Sequence, residues 1–305
     1  MFQRIVFMGS AHFSLPILKL LKEAFHVVGI VTQPDRPAGR GNQMVEGVVK
    51  KFALNQDIPI FQPEKINEEC STKKLDEWDP DLVVVVAYGQ ILKPWILNIP
   101  EFGCVNIHAS LLPRWRGASP LQAALLHGDS SSGVSIIKMD EGMDSGPILA
   151  QQEVKIEKKE TYMTLSEKLS KVGAWLLHNT LPLYFSGKIS LIEQDQRFVT
   201  FAPLLKKGDG ALDFNKSSSE IERQVRAYNP WPGTYMEYNS QQLKILEVQI
   251  DTTVSAEVGK RLVVNQKPAI STGCHNIVLE VVQPAGKKPM TGAAFLRGVR
   301  NWIDA

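Results

Sequence analysis

Apolar residues along this chain follow two regimes. Up to about residue 186, runs with strand character alternate with runs of helical period. Residues 4–8 form a short apolar run, and 13–25 place Leu15, Leu18, Leu21 and Phe25 at helical spacing. Residues 26–32 read as a second strand and 45–55 as a helix. Residues 81–88 are apolar throughout their middle rather than alternating, as expected of a central parallel strand covered on both faces. Further strands are predicted over 103–108, 134–139 and 148–156. A helix over 119–127 takes Ser119 as its N-cap with Pro120 in the first turn, and 161–185 is a long amphipathic helix. This alternation predicts an α/β domain over 1–186, a Rossmann-like, doubly wound, mostly parallel sheet.

The pattern then changes. Residues 187–208 have little periodicity and read as a linker. Beyond them, 235–237, 243–250, 261–264 and 277–282 are short β-type segments between turn residues, with one clear helix at 217–228. This predicts a smaller C-terminal domain over 209–305, a partly open, OB-like β-barrel. In the first half, 33–42 holds two prolines and two glycines and is expected to lack regular structure.

Composition narrows the function classes. Hydrophobic residues at 44% and charged residues at 22% exclude a disordered or fibrous chain. No apolar run approaches the roughly 20 residues that span a bilayer. The first nine residues read as a buried strand rather than a signal peptide, so a cytoplasmic, membrane-free protein is expected, working as a monomer. With 34 basic and 32 acidic residues, any nucleic-acid binding must rest on local clusters. Cys70, Cys104 and Cys274 form neither a disulfide framework nor a CxxC site, and Cys104 reads as a small buried hydrophobe rather than a reactive thiol. The six histidines lack a ligand spacing such as HExxH, and no metal is expected.

The Rossmann-like start raises dinucleotide binding first. Only Gly9 follows the first strand, and the G-x-G-x-x-G that lets a backbone approach a pyrophosphate is missing. The densest polar cluster is instead 106–117. Strand alternation places Asn106 and His108 on one side with Ile107 opposite, at the C-terminal strand end where open α/β sheets bind ligands. An amide and an imidazole together suit an oxyanion developing on a carbonyl. The alternative is a pair that only ties the strand end to a loop. A second cluster, Met139 to Pro147, brings Asp140 and Asp144 to the same sheet edge. A carboxylate near His108 orients the imidazole, whereas an Asp near Gly is also a common Asx-turn residue, which is the reading favoured for Asp140.

Taken together, AYGQIL (87–92), NIHASLLPRWRGASP (106–120), MDEGMDSGPIL (139–149), RAYNPWPG (226–233) and TQPDRPAGRG (32–41) resemble the signature segments of the 10-formyltetrahydrofolate-dependent formyltransferases. The proline- and glycine-rich loop, the Pro-Trp-Pro-Gly segment and the extra C-terminal domain resemble the members that act on initiator methionyl-tRNA. The resemblance implies that Asn106 and His108 hold an oxyanion and that Asp144 orients His108 and relays a proton. It implies a reduced folate, the co-substrate 10-formyltetrahydrofolate, along Ala87, Tyr88, Gly89, Ile91, Leu92, Ser110, Leu111, Leu112, Pro113 and Asp140. It implies tRNA contacts from Arg36 and Arg40 in the loop, from Lys206 and Lys207, and from Lys287 and Lys288, with Arg114 and Arg116 steering the acceptor end. Two segments depart from the family pattern, Ser10-Ala11-His12 after the first glycine and 205–210 in the linker. Two other readings stay open. One is a formyltransferase for a small amine, such as a nucleotide-linked sugar or glycinamide ribonucleotide, and the other a non-catalytic nucleic-acid-binding protein.

Overall fold

The computed structural model describes residues 3–38, 43–253, 256–299 and 301–303. By their contacts the residues divide into two compact units. One comprises 1–120, 131–155 and 166–201, and the other 121–130, 156–165 and 202–305.

In chain order, the first part runs β1 (Arg4–Gly9), α1 (Leu15–Ala24), β2 (His26–Val31), β3 (Arg36–Ala38), β4 (Gln43–Val45), α2 (Val48–Asn55) and β5 (Ile60–Phe61). It continues with α3 (Glu69–Trp78), β6 (Leu82–Val86), α4 (Pro94–Leu97), β7 (Cys104–His108), β8 (Arg116–Gly117), α5 (Pro120–His127), β9 (Ser131–Lys138), β10 (Ile148–Lys155) and α6 (Tyr162–Phe185). Seven strands form one sheet in the order β10-β9-β7-β6-β1-β2-β5. Pairing is parallel from β7 to β5 and antiparallel at β9 and β10. The expected doubly wound, mostly parallel sheet is therefore present. All five residues of β6 are buried, because this strand lies between β1 and β7 with cover on both faces.

One face of the sheet carries Val6, Met8, Val83, Val85 and Cys104, packed on Leu75 and Trp78 of α3 and Ile96 and Leu97 of α4. Trp78 lies directly on β2. A Cβ at Gly29 would stand 2.5 Å from its ring, so this position has room for hydrogen only. On the other face α6 approaches most closely at Gly173, where a Cβ would meet Ile107 Cγ2 at 3.2 Å.

Several elements differ from the sequence expectation. The 33–42 segment is not free of regular structure, since β3 and β4 pair antiparallel with Pro37 opposite Met44. A two-stranded edge pair tolerates a residue without an N–H. The helix expected from residue 45 begins at Val48, because Gly47 at ψ 150° is still extended. Helix α3 was not predicted, as only Ser71, Leu75 and Trp78 of its ten residues are buried and the first of these is polar. The segment expected as a linker carries a 3-10 turn at Gln196–Phe198, a short strand at Phe201–Ala202 and the start of a second 3-10 turn at Lys207–Gly210, and Ile192 bridges to Ile148.

The second unit is built on α7 (Ser218–Tyr228), preceded in the chain by the short β11 (Phe201–Ala202). Ser217 caps α7 reciprocally with Glu220, which settles two of the donors that a helix start leaves bare. Six strands follow or complete an antiparallel sheet: β12 (Thr234–Tyr238), β13 (Gln241–Asp251), β14 (Arg261–Val264), β15 (Lys267–Ser271), β16 (Asn276–Pro284) and β17 (Met290–Thr291). Their order is β12-β13-β16-β15-β14, with β17 on β16. The short α8 (Gly292–Arg297) closes on a core of Ile221, Val225, Leu243, Ile245, Ile277, Leu279 and Phe295. Strand β15 escaped the sequence reading because it opens Lys-Pro, a pair that interrupts a strand signature. Among the described residues no helix is long and apolar enough to cross a membrane.

Candidate active site

Strand β7 ends at the carboxyl edge of the sheet, with Val85 of β6 in register with Asn106. Alternation turns Ile107 toward α6 and leaves Asn106 and His108 on the opposite face. Both converge on Asp144, although 38 positions separate Asn106 from it. Asn106 Nδ2 donates to Asp144 Oδ1 at 3.1 Å. His108 Nδ1 lies 3.5 Å from Asp144 Oδ2. The backbone N–H of Gly117 donates to that same Oδ2 at 2.8 Å.

The histidine ring is held from its far side as well. His108 Nε2 donates to the Trp115 carbonyl at 2.8 Å. A carbonyl can only accept, so Nε2 carries a proton and Nδ1 is the ring nitrogen that faces Asp144. The imidazole is 6% exposed, and Asp144, at 16%, is the more solvated edge of the pair.

Asp144 owes its position to a tight turn. Asp140 Oδ1 accepts from Gly142 N at 3.0 Å and from Ser145 Oγ at 2.7 Å, so the Asp140 carboxylate is engaged in the loop's own Asx turn. Asp144 itself sits at φ +49°. Gly146 has no room for a side chain, since a Cβ would lie 1.8 Å from the Lys138 carbonyl oxygen.

Sequence reasoning missed a second layer. Gln194, 5% exposed, donates through Nε2 to the carbonyls of Asp144 and Gly146, both at 2.8 Å. Its Oε1 accepts from Arg116 Nε at 3.0 Å and from the terminal nitrogen Nη2 at 2.8 Å. Arg116 was expected to steer an acceptor end. Being 5% exposed and spent on Gln194, it has no face to offer a second molecule. Arg114 is exposed and stacks over the Trp115 ring at 4.2 Å. A glutamine in an aperiodic segment gives no signal that it will reach back 50 residues to Asp144.

The 87–92 loop runs beside this cluster, directly after β6. It is fastened from behind, with Gln33 Nε2 donating to the Tyr88 carbonyl, Asn67 Nδ2 to the Ile91 carbonyl, and Gln90 Oε1 accepting from Ile66 N. Ala87, Gly89 and Ile91 are exposed, the last by 72%. Tyr88 and Leu92 are buried. Burial also raises the Tyr88 phenol above its ordinary range and keeps it neutral. Ser110 and Leu112 are buried too. The Ser110 hydroxyl donates to the Arg114 carbonyl, and Leu112 packs on Ile137 and Ile148. Leu111 and Pro113 are half-buried.

The expected tRNA contacts are more dispersed. Arg36 is exposed and paired with the equally exposed Glu64 at 2.7 Å. Arg40 lies outside the described residues. Lys206, Lys207, Lys287 and Lys288 are all exposed in the second unit.

Cys104 is fully enclosed, and burial pushes its thiol up to about 12. A thiol reagent at neutral pH is therefore expected to modify the exposed Cys70 and Cys274 and to reach Cys104 only after denaturation. Peptide mass spectrometry reads this directly, and comparable labelling of Cys104 in the folded protein would contradict it.

Known proteins place this geometry in context. Residues 3–181 match the formyl transferase family, and 204–300 match the formyl transferase C-terminal domain. The chain is 44% identical over 299 residues to the methionyl-tRNA formyltransferase of Bacillus pumilus, covering 97% of this chain and 94% of that one. Against the enzyme of the same name from Lachnospira eligens it is 41% identical over 310 residues, covering 99% and 98%. Among solved structures, an N-formyltransferase from Helicobacter canadensis in complex with folinic acid and dTDP-3-aminofucose superposes with a TM-score of 0.66 at 16% identity, over 93% of this chain and 100% of that one. The methionyl-tRNA formyltransferase of Clostridium thermocellum superposes with a TM-score of 0.56 at 16% identity, over 83% and 95%. Identities this low speak for a common fold alone.

Proposed function

Since this chain belongs to the formyl transferase family, we propose that Asn106, His108 and Asp144 are its catalytic groups. The enzyme transfers a formyl group from a formyl-tetrahydrofolate to the α-amine of methionyl-tRNA. The observation that carries the assignment of groups is their convergence, with Asn106 Nδ2, His108 Nδ1 and Gly117 N all directed at one carboxylate at the sheet's carboxyl edge.

We take 10-formyltetrahydrofolate as the donor, bound without a metal. Its binding would fall to the 87–92 loop. The exposed Ile91 and Met143 supply apolar cover on the two flanking loops, and a Cβ at Gly89 would meet nothing within 4 Å, so backbone there is open to a flat ring. Ser110, Leu111, Leu112 and Pro113 would line the floor. Asp140, committed to its turn, would contribute through loop shape.

The donor supplies an electrophilic N-formyl carbonyl. The ester of methionyl-tRNA lowers the basicity of its amine, which attacks as the neutral form. Asn106, through its amide N–H, and His108, through the Nδ1 edge of its ring, stabilise the formyl oxygen as negative charge grows there. Asp144 takes the proton that the amine sheds on forming its new C–N bond, and His108 beside it keeps the carboxylate oriented. As the bond to the folate nitrogen breaks, that nitrogen recovers a proton from the same pair.

For the acceptor we place tRNA on residues 209–305, led into by 187–208, with the exposed Lys206, Lys207, Lys287 and Lys288 along its backbone and with Arg36 and Arg40 at the acceptor end. Arg36→Ala is expected to lower the slope of log affinity against log salt by roughly 0.7–0.9, the share of one phosphate contact. Losing the exposed pair with Glu64 costs little stability. An unchanged slope in filter binding over a salt series would remove Arg36 from the interface.

The deciding assay supplies labelled 10-formyltetrahydrofolate with charged initiator tRNA or with small amines. Label is expected on the methionyl-tRNA. Label found only on small amines would overturn the acceptor.

A further inference from the structure

We infer that Gln194, clamped by Arg116, is a positioning residue for formyl transfer, and that the 194–200 segment belongs to the catalytic apparatus. The inference rests on the assignment of Asp144 as a catalytic group and adds to it what holds that group in place. All three catalytic side chains lean on one strip of backbone. His108 Nε2 donates to the Trp115 carbonyl, and Gly117 N donates to Asp144, which in turn accepts from Asn106. The strip is itself pinned from the 194–200 segment, with Trp115 N on Thr200 Oγ1 and Arg116 N on the Thr200 carbonyl, both at 2.9 Å.

Gln194 closes the arrangement on its other side. A guanidinium has only donors, so the Gln194 oxygen must face Arg116, and its Nε2 is thereby aimed at the carbonyls of Asp144 and Gly146. Both N–H bonds of the amide are used, and the side chain is 5% exposed. Asp144 stands at φ +49°, in the left-handed region that most side chains avoid and that aspartate enters more readily than most. Gln194 grips the backbone of that residue, and Arg116 fixes which way the grip points. Both side chains are buried, and their bonds run to the protein.

Two variants separate positioning from bulk structure. Gln194→Glu keeps the acceptor toward Arg116 and gains an ion pair, but it sets an oxygen against two carbonyl oxygens. Gln194→Leu removes both functions at similar volume. A misplacement of about 1 Å at the reacting groups is worth up to about 10²-fold. For Gln194→Glu we expect kcat to fall about 10–100-fold, with KM for the folate donor and for methionyl-tRNA within about threefold of the parent and the melting temperature retained. A residue that merely filled space and paired with Arg116 would keep its kcat on becoming Glu. The proposal is overturned if Gln194→Glu keeps kcat within about twofold, or if its loss of kcat follows the fraction unfolded. Gln194→Leu, should it fold, is expected to lose as much, and a parental kcat there would overturn the proposal equally. Asp144→Asn is assayed alongside. If that variant also keeps full kcat, the assignment of Asp144 fails and takes the clamp with it. If it is inactive while both Gln194 variants are active, the clamp alone is wrong.

Discussion

Asp144→Asn is expected to lower kcat for formyl transfer by about 10²–10⁴ while leaving the fold intact. The substitution is chosen because it isolates chemistry from backbone. Position 144 holds φ +49°, and asparagine is among the few residues that accept this region readily. The backbone carbonyl that Gln194 grips is unchanged. What changes is the side chain's capacity to accept. Asp144 takes bonds from Asn106 on one oxygen and from Gly117 on the other. An amide has one acceptor oxygen, so in either orientation an N–H must face another N–H. The proton shed by the attacking amine also loses its receiver. Steady-state kinetics with saturating donor, paired with thermal melting, reads both halves. A kcat within tenfold of the parent would remove Asp144 from the chemistry.

Gly146→Ala is expected to damage stability and turnover together. The added Cβ would stand 1.8 Å from the Lys138 carbonyl oxygen, and that atom belongs to a strand whose own N–H is bonded to the Pro147 carbonyl at 2.9 Å. Neither side can rotate away, so the loop must move. Overpacking of this kind costs about 1–3 kcal/mol, on the order of 2–10 °C in melting temperature. Turnover is expected to fall at least about tenfold as well, because the displaced loop carries Asp144 two residues earlier. Gly142→Ala in the same turn provides the contrast. Its nearest obstacle is the Ser145 hydroxyl at 2.0 Å, a side-chain atom that can swing aside. A Gly142 variant as impaired as the Gly146 variant would show that the loop tolerates no side chain anywhere, and the carbonyl clash would lose its explanatory force.

Legibility in the sequence followed period and burial. Strand β6 was readable because five buried apolar residues in a row leave no other reading, and α7 because Ser217 and Glu220 announce a helix start. Helix α3 was not, since its buried positions Ser71, Leu75 and Trp78 fall at helical spacing but only two of them are apolar. The hairpin of β3 and β4 was hidden by Pro37, whose presence argues against a strand everywhere except at an edge. At the site, strand alternation alone paired Asn106 with His108. Asp144 came to them only through resemblance, because no local rule brings residues 38 apart into contact. Gln194 and the Gly117 N–H had no signal at all. One is a single amide in an aperiodic stretch, and the other is backbone, which a sequence never displays. Arg116 was misassigned for a related reason. Charge in a turn normally faces water, and only the three-dimensional structure reveals that this guanidinium is enclosed.

The pinning of the 115–117 strip by Gln194 and Thr200 has a consequence in time. A ribosome making this chain delivers every strand of the large sheet, and all of Asn106, His108 and Asp144, before it reaches residue 194. Domains fold as their sequence emerges, N-terminal parts first. A nascent chain that has just completed α6 thus holds the proposed catalytic groups without the ties that Gln194 and Thr200 add to them. The last of those ties arrives with Thr200, just before the second unit's own strands are made.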